Sequence, residues 1–437
     1  MLPAQAVLAP APGARRWPGL TLAHVTFLAG VVLTPFQIRF GLGNFSAADA
    51  AILAAAGLIA LGGRPIRFLP PSLSAGTYAF LLLALLSTFR APQPRESITQ
   101  IAQFAFTFLI QLPVILTLAQ SRFVVHAGLG LLLAAKTVDN AMAFLAGRVS
   151  GADRALPLYG ESANQLAYPT AYLLPFLLYG LLQVFRSRRS GWARAAAILG
   201  AVPVMYLMLW ALAGSGSRSA TLASLVGAGA FLALRRSLPV SPRALLGLAL
   251  NLAAVGLLGY ALYESGSLPS TLRDRIELSL HGDETLTQDR VDLARAGWLA
   301  FADSPFLGVG LDNFRHVAHR YGLTTLATDP HNMWLDLLAK VGVFGTAAVV
   351  GVVVGWFLFL LRTQRTTGDP ARRELLAAFL ASMVAIMTIH LFIPLMLQRQ
   401  YWLIYGLGLA AALQATALRR EPAPGSRARE GRESYAR

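Results

Sequence analysis

The sequence predicts an all-α polytopic membrane protein with about 12 transmembrane helices and one large helical loop. Of the 437 residues, 55% are hydrophobic and only 13% are charged, against a charged share of about 25% in ordinary globular domains. Apolar stretches long enough to cross a bilayer recur along the chain. A single long polar segment, residues 264–330, interrupts them.

The apolar stretches predict spans of roughly 17–25 residues each. Their expected ranges are 18–37, 46–63, 74–90, 98–119, 122–146, 163–185, 192–213, 218–234, 244–263, 343–362, 374–394 and 400–418. The chain therefore divides into four parts. These are transmembrane helices 1–9 (residues 1–263), the polar loop (264–330), an edge helix with transmembrane helices 10–12 (331–418), and a disordered cytoplasmic tail (419–437).

Arginine-rich loops predict the orientation of the chain in the bilayer. The net charge is +16, and its arginines cluster in short loops at alternate ends of the apolar segments. This distribution is typical of membrane topology and argues against nucleic acid as a partner. The loops expected in the cytoplasm, together with both termini, contain Arg64, Arg67, Arg186, Arg188, Arg189, Arg194, Arg235, Arg236, Arg243, Arg362, Arg365, Arg372 and Arg373.

The 264–330 loop then lies on the outer side of the membrane, and its sequence predicts an ordered cap. Residues 287–302 place apolar side chains at helical spacing, and Ser304-Pro305 ends that helix. Gly308-Val309-Gly310 predicts a turn, and residues 312–321 predict a second short helix.

The segment Asp329-Pro330-His331-Asn332 is the first candidate for chemistry. Asp329 suits the cap of a helix and Pro330 its first position, so we expect His331 in the first turn. The positive end of the helix dipole disfavours the protonated imidazole and attracts phosphate-like anions, so a general base could lie beside a phosphorylated donor. The alternative is a histidine that only forms a hydrogen bond at the lipid interface.

Two arginines are candidates for binding phosphate. Arg218 follows a Gly/Ser turn at the outer end of a span, and Arg290 opens the first loop helix. A guanidinium group matches phosphate oxygens in a bidentate fork. The alternatives are that Arg218 only extends to the interface and that Arg290 pairs with Asp289 or Asp292.

Lys136 and Asp139 lie within the fifth predicted span at i,i+3 spacing, which favours a buried ion pair, with a transporter's proton relay as the alternative. The chain has no cysteine, and no metal-binding or nucleotide-binding motif stands out, so we expect no cofactor. An outward-facing site has no nucleotide sugar available, and its donor must therefore be carried by the membrane.

The pattern His331-Asn332, nine residues, Gly342-x-x-Gly345 resembles the signature of bacterial O-antigen ligases. Arg290, Trp298, Pro305 and Asn313-Phe314 fit the wider superfamily of O-antigen ligases, O-antigen polymerases and protein O-oligosaccharyltransferases. The resemblance covers about residues 215–345 by motif.

The resemblance implies a GT-C-like glycosyltransferase of the bacterial inner membrane that inverts the anomeric centre without a metal. Its active site would be periplasmic, its donor a glycan on undecaprenyl diphosphate, and its acceptor a sugar hydroxyl of the lipid A–core oligosaccharide. Carried over to this chain, His331 would be the catalytic base, Arg218 and Arg290 would hold the diphosphate, and Asn332 would be the motif partner that orients His331. Apart from the resemblance, Arg399 lies with Gln398 and Gln400 in a short outer loop, where it could contact a head group as a supporting residue.

Three other functions remain open. An O-antigen polymerase uses the same donor but often has two sizeable periplasmic loops, where this chain has one. Protein O-oligosaccharyltransferases are commonly longer after the last core span. A membrane transporter would fit the number of spans, but we find no clear internal repeat between the halves.

Overall fold

The computed structural model describes residues 20–39, 45–147, 155–157, 162–186, 191–235, 264–265, 284–323, 329–394, 396 and 398–420. Within these ranges the chain is α-helical, with short 3₁₀ and π turns and without a named β-strand. The predicted disordered tail and the predicted span 244–263 lie outside the described residues, apart from the start of the tail, where the last helix ends at Arg420.

The described helices follow most of the predicted spans. They are α1 (Leu22–Leu33), α2 (Ala47–Leu61), α3 (Pro71–Ser87), α4 (Pro94–Phe106), α5 (Leu112–Leu118), α6 (Arg122–Ala146), α7 (Ala163–Arg186), α8 (Gly191–Ser215), α9 (Arg218–Leu234), α10 (Glu284–Asp303), α11 (Phe314–Val317), α12 (Met333–Thr366), α13 (Pro370–His390) and α14 (Arg399–Arg420). A π turn at Thr107–Gln111 joins α4 to α5.

Seven of the described helices are long and apolar enough to cross a membrane. They begin at Pro71, Pro94, Arg122, Ala163, Met333, Pro370 and Arg399. Four shorter apolar helices, Leu22–Phe36, Ala47–Leu61, Leu199–Ser215 and Arg218–Leu234, accompany them. The described part of the chain is therefore all-α and typical of a multi-pass membrane protein, while the number of twelve spans stays a prediction.

Polar contacts link the arginine-rich loops at one end of the helix bundle. Arg186 pairs with the fully buried carboxylate of Glu374, and Arg122 lies 3.5 Å from Asp369. Gln364 donates to the Leu234 carbonyl at 2.8 Å. The described ends of the loops that follow α7, α9 and α12 thus lie at the same end of the bundle. We call the other end, where α9 and α14 begin, the site end.

The predicted cap forms two helices against the site end. The buried face of α10 is formed by Ala296 and Ala300, which pack with Phe314 and Ala339. Trp298, by contrast, is exposed. Burial and a hydrogen bond to Asp303 raise the pKa of Tyr321 to about 12, so its phenol stays protonated at neutral pH.

Asn313 fastens the cap to the start of α4. Its side chain is fully buried; Oδ1 accepts from the Gln93 backbone N–H at 2.7 Å. Its Nδ2 lies 2.9 Å from both the Ser97 hydroxyl and the Leu311 carbonyl. A second link comes from Arg315, whose hydrogen bond with Glu96 raises the pKa of the guanidinium above its usual range.

We expect Asn313→Leu to lower the free energy of unfolding by about 2–3 kcal/mol, because it leaves buried polar groups of α4 and the cap without partners. Thermal unfolding in detergent measures the effect. Thr99→Val is the matched control on α4, since the Thr99 hydroxyl bonds only the exposed Arg95 carbonyl. Equal melting temperatures for the two variants would contradict the role of Asn313.

Candidate active site at one end of the bundle

His331 lies in a tight turn directly before α12. The Asp329 carboxylate accepts a hydrogen bond from the His331 backbone N–H at 2.9 Å, which closes an Asx turn. The backbone of His331 is left-handed, with φ +54°, a conformation that is uncommon outside glycine. Its side chain is 42% exposed, and Nδ1 is 3.8 Å from the Asp329 carboxylate. The turn therefore presents the imidazole to the surface with a carboxylate on its Nδ1 side.

Asn332, and not Asp329, caps the helix. Its Oδ1 accepts hydrogen bonds from the backbone N–H groups of Trp334 and Leu335 at 3.0 and 3.1 Å. Its Nδ2 donates to the Leu391 carbonyl at 3.0 Å. The predicted cap at Asp329 is thus wrong, and His331 lies just outside the helix rather than in its first turn. Asn332 holds that helix start against the end of α13.

Gly342, the first of the two motif glycines, divides α12. Gly342 has φ +66° and ψ −173°, which breaks the helical path between residues 333–341, here called the arm, and the rest of α12. A Cβ at Gly342 would lie 2.3 Å from the backbone of Phe306. The Val343 N–H reaches the Pro305 carbonyl at 2.8 Å. The break therefore receives the loop that follows α10.

The Gly308–Gly310 turn covers the carbonyl end of the arm. The N–H groups of Val309 and Gly310 each donate to arm carbonyls, those of Ala339 and Lys340, at 2.9 Å. A Cβ at Gly308 would lie 2.3 Å from the Lys340 carbonyl carbon. The nine-residue spacing between Asn332 and Gly342 thus corresponds in this chain to a short capped helix, which packs between the cap and the bundle.

Arg290 lies on the α10 face that turns towards His331. Gly297 packs against Pro330, since a Cβ there would lie 2.8 Å from the proline ring. Arg290 is seven residues earlier, which places it on the same helix face about 10 Å along the axis. Its side chain is exposed, and among the described residues it has no ion-pair partner. The predicted alternative of a salt bridge to Asp289 or Asp292 is not observed there.

Arg218 begins α9 at the same end of the bundle. Gly227 of α9 packs against Ala385 of α13, and the far end of α9 reaches Gln364 through Leu234. The two helices are therefore antiparallel, so Arg218 lies towards the end of α13 where Leu391 binds Asn332. Arg218 is exposed and makes no ion pair with a described residue.

Arg399 has a structural partner. Its Nε bonds the buried carboxylate of Asp49 on α2, and that carboxylate also accepts from the Ser46 hydroxyl at 2.9 Å. Arg399 thus joins α14 to α2 at the site end. The structure brings His331, Arg218 and Arg290 to one end of the bundle, although no hydrogen bond or ion pair between described residues joins them directly.

Two further ion pairs are each buried within a single helix, and one of them was predicted. Lys136 and Asp139 form the buried pair expected from their spacing, with Nζ 2.5 Å from the carboxylate. A second buried pair, Asp336 and Lys340 of the arm, was not predicted, and its charged groups are 2.7 Å apart. Its i,i+4 spacing in an otherwise apolar helix was the available signal.

The comparisons with known proteins support the motif. Residues 203–350 match the family model described as O-antigen ligase. The match supports an O-antigen ligase-family protein. The matched third of the chain contains Arg218, Arg290, His331 and both motif glycines, Gly342 and Gly345.

Other comparisons add little. No curated protein matches the chain. A solved structure described as "Structural coordination of polymerization and crosslinking by a peptidoglycan synthase complex" contains a similar chain at 16% sequence identity and a TM-score of 0.33. The alignment covers 91% of this chain and 98% of the other.

Proposed function

We propose that the protein is an O-antigen ligase that transfers a glycan from undecaprenyl diphosphate to a sugar hydroxyl of the lipid A–core oligosaccharide. The supporting observation is that the segment matching the O-antigen ligase model contains an exposed histidine and two arginines without ion-pair partners among the described residues, all at one end of the bundle. These groups supply a base and two phosphate-binding cations.

In the proposed reaction His331 removes the proton from the acceptor hydroxyl as its oxygen attacks the anomeric carbon of the donor. The bond from that carbon to the diphosphate oxygen breaks, and undecaprenyl diphosphate leaves with the electron pair. Arg218 and Arg290 neutralise the charge that develops on the diphosphate. Attack opposite the leaving group inverts the anomeric centre, and diphosphate leaves readily enough that no metal is required.

Asp329 fits this scheme as the residue that orients the base. A carboxylate beside one imidazole nitrogen favours the tautomer that carries its proton there and leaves the other nitrogen free to accept a proton. The Asx turn fixes Asp329 relative to the His331 backbone.

We further propose that the protein lies in the bacterial inner membrane with both termini in the cytoplasm and the site end in the periplasm. The grouping of the arginine-rich loops at the opposite end supports this orientation, because cytoplasmic loops carry an excess of arginine. Residues 264–330 would then form the periplasmic cap, and both lipid-linked substrates would approach sideways from the bilayer.

We expect Arg218→Ala and Arg290→Ala each to lower kcat/KM for the donor by about 10- to 100-fold, because each removes a charge-assisted hydrogen bond to phosphate. Steady-state kinetics with varied donor measure this loss. Arg→Lys variants should recover only part of it, since lysine lacks the bidentate fork.

Arg295→Ala is the matched control for Arg290. It removes an exposed arginine from the same helix, five residues later and therefore on a different face. Unchanged donor kinetics in both Arg218→Ala and Arg290→Ala would overturn the proposed diphosphate site.

The test of the function combines purified protein, undecaprenyl-diphosphate-linked glycan and lipid A–core. Glycan on lipid A–core, formed only when the acceptor is present and insensitive to EDTA, supports the ligase. Lengthened lipid-linked glycan would instead show a polymerase, and glycan on protein a protein O-oligosaccharyltransferase. Absence of glycan transfer to any of these acceptors would contradict a glycosyltransferase and favour a membrane transporter.

A further inference from the structure

A polar cavity of about 180 Å³ lies at the site end, against the arm. It is open to the surface and is lined by residues from the end of α1, from α4, from the arm and from the segment before α14. His331, Arg218 and Arg290 are not among its lining residues. Asp336 and Lys340 of the arm are, so the helix that begins directly after the candidate base also forms a wall of this cavity.

Four glutamine side chains line the cavity, and their amides form no hydrogen bonds within the described part of the protein. Gln37, Gln100, Gln103 and Gln398 face it, and none of these amides has a hydrogen-bond partner among the described residues. Gln100 and Gln103 are three residues apart on α4 and so share a helix face. Each amide offers donors and an acceptor.

The charged groups of the cavity are largely neutralised within the protein. Lys340 pairs with Asp336, and Arg399 pairs with Asp49. Arg39 is the remaining cation of the lining, and it is exposed. A phosphate group would meet this single exposed cation, whereas a neutral ligand with several hydroxyls can exchange hydrogen bonds with all four amides.

The size of the cavity also restricts its ligand. A volume of about 180 Å³ is smaller than the roughly 300–1,000 Å³ of sites for drug-sized molecules. The buried side chains of Phe104 and Leu337 add an apolar wall, which suits the C–H face of a sugar ring. The cavity therefore fits one ring with free hydroxyls rather than a lipid chain.

We propose that this cavity binds one sugar residue of a substrate and holds it beside the arm. The identity of that substrate rests on the proposed glycan transfer, but the binding of a sugar does not. The same chemistry fits a sugar of the donor glycan and a sugar of the core acceptor.

The test measures binding of two probes to the purified full-length protein by saturation-transfer NMR and calorimetry. The probes are the core oligosaccharide freed from lipid A and the glycan freed from undecaprenyl diphosphate. The double variant Gln103→Leu/Gln398→Leu keeps the side-chain volume and removes two amides. We expect it to weaken binding of one probe about tenfold or more, and the affected probe identifies the substrate.

Two controls separate the possible failures. Gln120→Leu removes an amide that donates to the Thr117 carbonyl away from the cavity, and it should bind both probes normally. His331→Ala should also bind both, so loss of the proposed catalytic function leaves the cavity test intact. Thermal unfolding verifies that the double variant is folded, and the two single variants replace it if it is not.

Three results would overturn the sugar site. The first is that neither probe binds to the wild-type protein. The second is that the folded double variant binds both probes with the affinity of the wild-type protein. The third is that inorganic pyrophosphate displaces the bound probe with a comparable affinity. The last result would show an anion site instead. In the transfer assay, the double variant should raise KM for the affected substrate about tenfold and leave kcat within about twofold.

Discussion

His331→Ala is expected to reduce glycan transfer by at least about 100-fold while the protein still folds and inserts. General-base catalysis contributes about 10²–10⁴ to a rate, and the acceptor hydroxyl has no other base in the proposed reaction. The stability cost should be small because the imidazole is 42% exposed. Single-turnover transfer and thermal unfolding, measured on the same preparation, separate these two effects.

The matched control is His319→Ala, which removes another exposed histidine at the site end of the protein. We expect wild-type transfer from this variant. His331→Asn should be as inactive as His331→Ala, since the amide occupies similar space but cannot accept a proton at neutral pH. Transfer within a few-fold of wild type by either His331 variant would remove this residue from the chemistry.

The helices were the most predictable part of this fold. In an apolar environment each backbone N–H and C=O must be satisfied within its own segment, so a long apolar run predicts a helix. The prediction of α6, Arg122–Ala146, illustrates this, since its bounds agree with the expected span. The short apolar helices such as α2, Ala47–Leu61, are less decisive, because 15 residues are few for a helix that crosses the bilayer.

The start of α12 could not be fixed from the sequence. Asp329 and Asn332 are both good cap residues, and Pro330 after Asp329 favours the earlier one. The structure uses both side chains for different purposes. Asp329 closes the turn on His331, while Asn332 accepts from two helix N–H groups and also binds the Leu391 carbonyl. That last contact joins residues 59 positions apart, which local patterns cannot reveal.

The ion-pair partner of Arg399 could likewise not be predicted from the neighbouring sequence. Arg399 was expected to support substrate binding, but its partner, Asp49, is 350 residues away in the sequence. The unused amides of the cavity come from three separate parts of the chain and become a group only after folding. By contrast, Lys136 and Asp139 were predictable as a pair because helix geometry brings i,i+3 side chains together.

The second large effect is expected from Gly342→Ala, which should prevent formation of a folded, active protein. The backbone of Gly342, with φ +66° and ψ −173°, lies in a region that is essentially restricted to glycine and costs other residues about 1–3 kcal/mol. The added methyl group would also lie 2.3 Å from backbone atoms of Phe306, and backbone cannot move aside as a flexible side chain can.

Gly351→Ala provides the comparison, because it makes the same change in the same helix where nothing lies within 4 Å of the new Cβ. We expect this control to have the yield, melting temperature and transfer rate of the wild-type protein. Gly342→Ala should lose the elution peak of the folded protein on size-exclusion chromatography or melt at a much lower temperature. If the two variants behave alike, the arm is not held by the break at Gly342, and the motif spacing needs another explanation. If only Gly342→Ala loses its fold and its transfer activity, the break at Gly342 is required for the structure that holds the arm and, with it, His331. A role of the motif in catalysis alone does not predict this result.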